Sequence, residues 1–252
     1  MNQSIRQHEI YKLVQKKGTC TISELARIFN VSGETVRRNL KGLTAEGLVV
    51  RVHGGVSLPI ENQEPPIVNR MQRMVAEKKR IAIAVADHVE EGDSLIMDTG
   101  STTAFCAQAL LGHSNLTIVT NSSYIANLLA SRNGNRVFIA GGELRAHDAA
   151  AFGPSVISFV KNFQTDKSVL SIGAIHPDNG CMNYELCEAD FSRAVIDQSN
   201  MVILASDASK FDRNGIARVC ELERVDLLVT NETPGVALTS RLREARVEVI
   251  IA

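Results

Sequence analysis

The chain has no tryptophan, and aromatic residues make up only 4% of it. It also lacks any apolar run near the roughly 18 residues that a membrane-spanning helix needs. Its first stretch, MNQSIRQHEIYK, is polar and has no apolar centre of the kind that secretory signals carry. The expectation is a cytoplasmic protein with no membrane partner. Cys20, Cys106, Cys181, Cys187 and Cys220 form no CxxC pair. Their odd number and irregular spacing argue against a disulfide framework or a thiolate zinc site, and leave reduced thiols as the expectation. The six histidines are scattered without ligand spacing, so neither a metal nor another cofactor is expected.

What remains is an ordinary globular composition, 44% hydrophobic and 22% charged over 252 residues. That length suits one large domain or a small and a medium one. The net charge of −1 hides an asymmetry. Residues 1–56 hold nine Lys or Arg against four Asp or Glu, a net of +5, and the rest holds 18 against 24, a net of −6. A small basic head on an acidic body points to a polyanion as the partner of the head.

The head reads as helix, helix, turn, helix, hairpin. In SIRQHEIYKLVQKKG (4–18), Ile5, Ile10, Leu13 and Val14 fall near one helical face and Gly18 ends the run. Thr21 or Ser23 can cap a second helix with Leu25, Ala26, Ile28 and Phe29 inward. NVSG (30–33) is a turn. Ser32 can cap a third helix with Val36, Leu40 and Leu43 inward and Gly47 at its end. LVVRVHGGVSL (48–58) alternates and turns at Gly54-Gly55. This order is that of a winged helix-turn-helix. Its third helix carries Glu34, Thr35, Arg37 and Arg38 away from the core, suited to a major groove in double-stranded DNA. Arg51 and His53 on the wing can reach the DNA backbone or the minor groove. The competing reading is a basic face on a protein-binding module.

Pro59 to Pro66 reads as a polar linker, followed by a charged helix over roughly 69–89 with Ile81, Ala84 and Val85 on one side. Arg70, Arg73, Lys78, Lys79 and Arg80 on it are expected to form a solvated face or to add DNA-backbone contacts. The expected organisation is a DNA-binding head over 1–58, a linker and linking helix over 59–90, and an α/β effector domain over 91–252. In that last part SLIMDT, LTIVTN, RVFIAGG, KSVLSIGAI, MVILASD, VDLLVTN and VEVIIA are short apolar runs, mostly separated by helix-length stretches. They predict a buried, largely parallel sheet covered by helices.

Ligands of such sheets sit beyond the carboxyl ends of the strands. Polar and glycine residues gather at those ends: Asp98, Gly100, Ser101, Thr102 and Thr103; Asn121 and Ser122; Gly141, Gly142 and Arg145; Ser171 and Gly173; Asp207 and Lys210. In DTGSTTAFCAQAL (98–110), Gly100 is expected in a backbone conformation other residues resist, with helix-start amides ready for an anion. Hydroxyls, amides, an Arg and a Lys together suit a phosphorylated or carboxylated small molecule, and Asp98, Asp207 and Glu185 suit sugar hydroxyls. Each feature has a plainer alternative: a helix cap for GST, a turn for GG, a surface lysine for Lys210.

The stretch SELARIFNVSGETVRRNL…VRVHGGV resembles the N-terminal signature of the DeoR family of bacterial transcriptional regulators. It departs at Asn39, where that family usually has Asp, and at Val56, where Ala is common; Asn39 is expected to alter an ion pair on the helix surface. DTGSTT, LTIVTN, AGGELR, SIGAI and SDASKF follow in the order of DeoR-type sensor domains, so the resemblance covers nearly the whole chain. It implies a sensor domain resembling ribose-5-phosphate isomerase, with the phosphate held at residues 100–103 and the site completed by Lys210 with Asp207. The stretches LLGHSNLTIVTNSSYIANLL and AGGELRAHDAAAFG look most like the glycerol-3-phosphate repressor branch, whereas NYELCEADFSRAVI departs from the commoner Thr-Glu-Glu pattern. The expected function is a repressor of sugar or polyol catabolism, released from operator DNA by a phosphorylated sugar or polyol, acting as a homodimer or homotetramer. The alternative is a sugar-phosphate isomerase fused to a DNA-binding head. An isomerase needs a general base over an enolisable carbon, and no DGAD-type catalytic stretch is present. Not an enzyme is therefore the expectation.

Overall fold

The computed structural model describes residues 3–45, 48–52, 54–57 and 64–252, and no side chain before residue 5 or at 45. Gly47, His53 and most of the 59–66 linker lie outside the described residues. The chain divides into two compact units, residues 1–65 and 66–252.

In the first unit α1 (Gln3–Lys17) leads into β1 (Thr19–Thr21), α2 (Ile22–Phe29), α3 (Gly33–Ala45), β2 (Val50–Val52) and β3 (Gly55–Ser57). Thr21 begins α2 with a capping box. Its hydroxyl accepts from the Glu24 N–H at 3.1 Å, and the Glu24 carboxylate accepts from the Thr21 N–H at 2.9 Å. Asn30 ends α2 in the left-handed conformation and turns the chain toward α3. Ile10, Val14, Leu25, Val36, Leu40, Leu43, Val49 and Val56 make the core. Ile5 and Ile28, expected inward, are exposed instead, because two helical faces and a sheet already close this small core. The sheet has three strands in the order β1-β3-β2, and β1 was not anticipated from the sequence. Gly54 adopts φ +78°, and a Cβ on Gly55 would stand 2.3 Å from the Cys20 carbonyl oxygen, so this glycine pair serves the turn and the strand contact.

The second unit runs α4 (Ile67–Arg70), α5 (Val75–Ala86), β4 (Ser94–Met97), α6 (Ser101–Ala109), β5 (Thr117–Thr120), α7 (Ser123–Leu129), β6 (Arg136–Ile139), β7 (Leu144–Arg145), β8 (Ala150–Ala151), α8 (Pro154–Val160), β9 (Thr165–Leu170), β10 (Ala174–His176), β11 (Gly180–Asn183), α9 (Leu186–Asp197), β12 (Ser199–Ala205), β13 (Ala217–Cys220), β14 (Leu227–Thr230), α10 (Val236–Glu244) and β15 (Glu248–Ile251). Seven strands form one parallel sheet in the order β15-β14-β12-β9-β4-β5-β6. Each corresponds to one of the seven apolar runs.

The period of two along each strand sends alternate residues to opposite faces. Leu95 and Met97 join Ile81, Val85, Phe105 and Ile125 on one face, while Ile96 joins Val156, Phe191 and Leu238 on the other. Burial of each such side chain contributes on the order of 1.5–3 kcal/mol. The central strands are therefore buried largely on both faces, and polar side chains gather at the strand ends.

Two expectations change here. The single charged helix over 69–89 is broken at Met74, whose φ is +50°, into α4 and α5. Lys78, expected among solvated cations, is buried and donates to the carbonyls of Arg70 at 2.7 Å and Arg73 at 3.1 Å, stabilising that break. Helix α5 belongs to the body's core through Ile81, Ala82 and Val85.

Candidate functional site

Strand order in the large sheet reverses once. From β4 the chain steps to β5 and β6 on one side, then returns to β9 on the other side and continues through β12 to β15. A crevice opens at such a switch point, beyond the carboxyl ends of the two strands that flank it. Here those strands are β4 and β9, and they lead directly into Asp98–Thr103 and Ser171–Gly173.

The two ends are tied together. Asp98 is buried and accepts from the Ser171 N–H at 3.0 Å and from the Ser171 hydroxyl at 3.3 Å. Burial drives the Asp98 carboxyl well above its usual range, against the lowering effect of these hydrogen bonds. Gly100 has φ −175°, an extended backbone open to any residue, which corrects the expectation of a special conformation. What it lacks is room: a Cβ there would stand 1.9 Å from Ser171 Oγ. Ser101, Thr102 and Thr103 are buried at the start of α6. No side chain caps this helix, and Thr103 Oγ1 donates back to the Gly100 carbonyl at 3.1 Å. Gly100 is the N-cap residue of α6, as the plainer reading of GST as a helix cap has it, and as a glycine it offers the first-turn amides no side-chain acceptor. By contrast, Ser122 does cap α7, accepting from the Ile125 N–H at 3.4 Å.

Asn121 is buried at the end of β5 and donates to the Ala151 carbonyl at 3.0 Å, which anchors the β7–β8 hairpin. Its Oδ1 has no hydrogen-bond partner. Gly141 and Gly142 are exposed at the approach to that hairpin, and neither has positive φ. Arg145, on β7, is engaged by three carboxylates: Asp148, Glu185 at 3.0 Å and Glu188 at 2.5 Å. Its guanidinium also lies over the Phe152 ring, 4.3 Å from the centroid. Burial works against its charge, but the bonds to Asp148 and Glu188 outweigh that and raise its pKa. His147, Asp148 and Glu188 bring ligand atoms within 4.8 Å of one another, yet Arg145 already supplies the cation for the two carboxylates. Gly173 donates to Asn183 Oδ1 at 2.8 Å and packs under the Tyr184 ring. Asp207 is buried at the end of β12, caps the short 208–210 turn and accepts from the Ser209 N–H at 3.0 Å, with half-buried Lys210 completing the turn.

Lys78, absent from the sequence-based site, lies within electrostatic range of Asp207 and Lys210, and burial pushes its pKa down to about 8. A signal for its burial was present: it precedes Ile81 by three residues and Ala82 by four, on the core face of α5.

In the head, α3 presents Glu34, Arg37 and Arg38 to solvent. Ser32 Oγ accepts from the Thr35 N–H at 3.2 Å at the start of that helix. Arg37 pairs with Glu34 at 3.5 Å, and Arg51 is exposed on β2. Asn39 is fully buried, with Nδ2 donating to the Thr35 carbonyl at 2.6 Å, so it alters no surface ion pair as the sequence had suggested.

A winged helix-turn-helix joined to a parallel α/β body with polar groups at its strand ends is the architecture of a ligand-sensing DNA-binding regulator. Family models agree: "DeoR-like helix-turn-helix domain" matches residues 6–61 and "DeoR C terminal sensor domain" matches residues 73–232. The chain belongs to the DeoR family of transcriptional regulators. It is 36% identical over 248 residues to the glycerol-3-phosphate regulon repressor of Escherichia coli strain K12, covering 98% of each chain. It is 34% identical to the HTH-type transcriptional repressor CsqR of the same strain, over 98% of this chain and 94% of that one. These relatives are repressors rather than enzymes. Among solved structures, a ribose 5-phosphate isomerase from Plasmodium falciparum aligns with a TM-score of 0.41 and 16% identity, over 57% of this chain and 55% of that one.

Proposed function

We propose that a phosphorylated sugar or polyol resembling glycerol 3-phosphate binds in the crevice between β4 and β9 and releases the protein from operator DNA. The observation that carries this is the start of α6 at the switch point, where the N-cap Gly100 offers the amides no side-chain acceptor and Ser101, Thr102 and Thr103 are buried beside it. A helix N-terminus whose amides have no side-chain acceptor favours an anion. In this reading residues 100–103 hold the phosphate, aided by Lys210. Asp98, Glu185 and Asp207 take hydroxyls, and Asn121, Ser122, Gly141, Gly142, Arg145 and Gly173 form the rim. The names of the E. coli and Haemophilus influenzae relatives support the polyol phosphate.

On the DNA side, Arg37 and Arg38 read base edges or phosphates, with Ser32, Glu34 and Thr35 beside them, and Arg51, His53, Gly54 and Gly55 form the wing contact. The chain acts in the cytoplasm as a homodimer or homotetramer, because paired half-sites match paired recognition helices. The effector lowers DNA affinity only to the extent that it binds one arrangement of the assembly better than the other.

The test uses the full chain. Its unfolding midpoint and its retention on operator duplex are followed against glycerol 3-phosphate, glycerol and inorganic phosphate. Only the ester is expected to raise the midpoint and release DNA, and Lys210→Ala is expected to bind DNA normally with a blunted response. A folded sample that responds to no sugar or polyol phosphate would remove the effector half of the reading.

A further inference from the structure

On the second, antiparallel sheet of the body, Cys181 of β11 stands directly opposite Cys220 of β13. Directly opposed residues of antiparallel strands have Cα atoms about 4.5–5.5 Å apart. That range falls inside the roughly 4.4–6.8 Å that a disulfide spans. Both side chains face the same core cluster, so they share one face of the sheet. The close approach is built into the backbone. Gly180, at φ +69°, leaves no space for a Cβ, which would stand 2.3 Å from the Cys220 carbonyl oxygen. The register shifts immediately after this pair, since Met182 lies opposite Arg218 and Val219 is left over. The shift separates the cysteine pair from the two steps that follow it, Met182 opposite Arg218 and Asn183 opposite Ala217.

The two thiols differ in access. Cys181 is 1% exposed, whereas Cys220 is half-buried and lines a cavity of about 470 Å³ with Ile196, Val219, Arg193, Arg218 and Arg224. Contact with the Cys220 thiol, together with burial, raises the Cys181 pKa well above the ordinary thiol range. Cys220 is therefore the thiol that solvent species meet, and Cys181 is the one held in reserve behind it.

We propose that Cys181 and Cys220 form a reversible dithiol–disulfide modification site for hydroperoxides. With hydrogen peroxide, the Cys220 sulfur attacks one peroxide oxygen and the O–O bond breaks. The departing hydroxide takes the thiol proton and leaves as water, so Cys220 becomes a sulfenic acid. The Cys181 sulfur then attacks the Cys220 sulfur. The S–S bond forms, the S–O bond breaks, and hydroxide leaves with the Cys181 proton as a second water. Two thiols and one peroxide give one disulfide and two waters. The sulfurs lose two electrons in all and the peroxide gains them. All five cysteines are free in the structure, so this bond is a state entered on oxidation.

The experiment treats the folded full chain with hydrogen peroxide, alkylates the remaining thiols, and maps a non-reducing digest by mass spectrometry. A peptide linked through Cys181 and Cys220 is expected, and dithiothreitol should remove it. Cys20 and Cys106 should remain open to alkylation once the chain is unfolded. Cys181→Ser should leave Cys220 as a sulfenic acid that dimedone traps. Cys220→Ser, at the more accessible position, should abolish the link while leaving the fold intact. The proposal is overturned if peroxide produces no Cys181–Cys220 link in the folded wild-type chain, if the link needs prior unfolding, or if Cys187 is the preferred partner.

Discussion

The Ser171 N–H donates to the Asp98 carboxylate at 3.0 Å, joining the ends of β4 and β9 at the one place where strand order in the sheet reverses. Gly100 lies under the same serine, with 1.9 Å between its would-be Cβ and Ser171 Oγ. Gly100→Ala is therefore expected to overpack the seam and cost about 1–3 kcal/mol. Adding Ser171→Gly should recover part of that loss, because it removes the clashing side chain. Thermal unfolding of the single and double variants checks this, and an unchanged midpoint in Gly100→Ala would contradict the packing.

Asp98 makes stability depend on pH. Its folded pKa lies above the ordinary value of 3.8, so the folded chain holds a proton that the unfolded chain releases. Stability from this group is greatest below 3.8 and declines as pH rises through the folded pKa. Asp98→Asn stays neutral and keeps a carbonyl acceptor for the Ser171 N–H. Its midpoint relative to the parent should climb with pH across that window; a difference that is flat with pH would show that burial does not govern this carboxyl.

Lys78 has the opposite sign. Its folded pKa, pushed down to about 8 from 10.5, means that the unfolded chain binds more protons between those values. Stability contributed by this group rises with pH from about 8 to 10.5. Lys78→Met should remove that rise and loosen the turn held by the Arg70 and Arg73 carbonyls. Denaturant midpoints of both proteins through the alkaline range measure the first effect, and amide exchange at residues 70–74 measures the second.

Arg37 and Arg38 project from α3, and the Glu34 pair of Arg37 is exposed enough to be worth little. Substituting either by Ala is expected to cost about 1–3 kcal/mol of binding to an operator selected from random duplexes, if it reads a base edge. Loss of affinity that is uniform across sequences, with a shallower salt dependence, would instead assign a phosphate contact. Unchanged affinity in both variants would displace α3 as the recognition helix.

Local pattern alone determined much of this protein. Helix periodicity, caps at Thr21 and Ser32 and the Gly54-Gly55 turn specified the winged head, because each is decided within a few residues of chain. Seven β-branched runs specified seven parallel strands, because strands buried on both faces need apolar side chains on both. Strand-end polar clusters marked the site proposed here for the ligand. Tertiary structure alone decided the partners. That Asp98 meets Ser171, that Arg145 meets Glu185 and Glu188, and that Cys181 faces Cys220 all depend on strand order and register across tens of residues. Lys78 and Asn39 show the same division. Both residue types favour solvent, and only the packing around them supplied the hydrogen-bond acceptors, Arg70 and Arg73 carbonyls for one and Thr35 carbonyl for the other, that let them be buried.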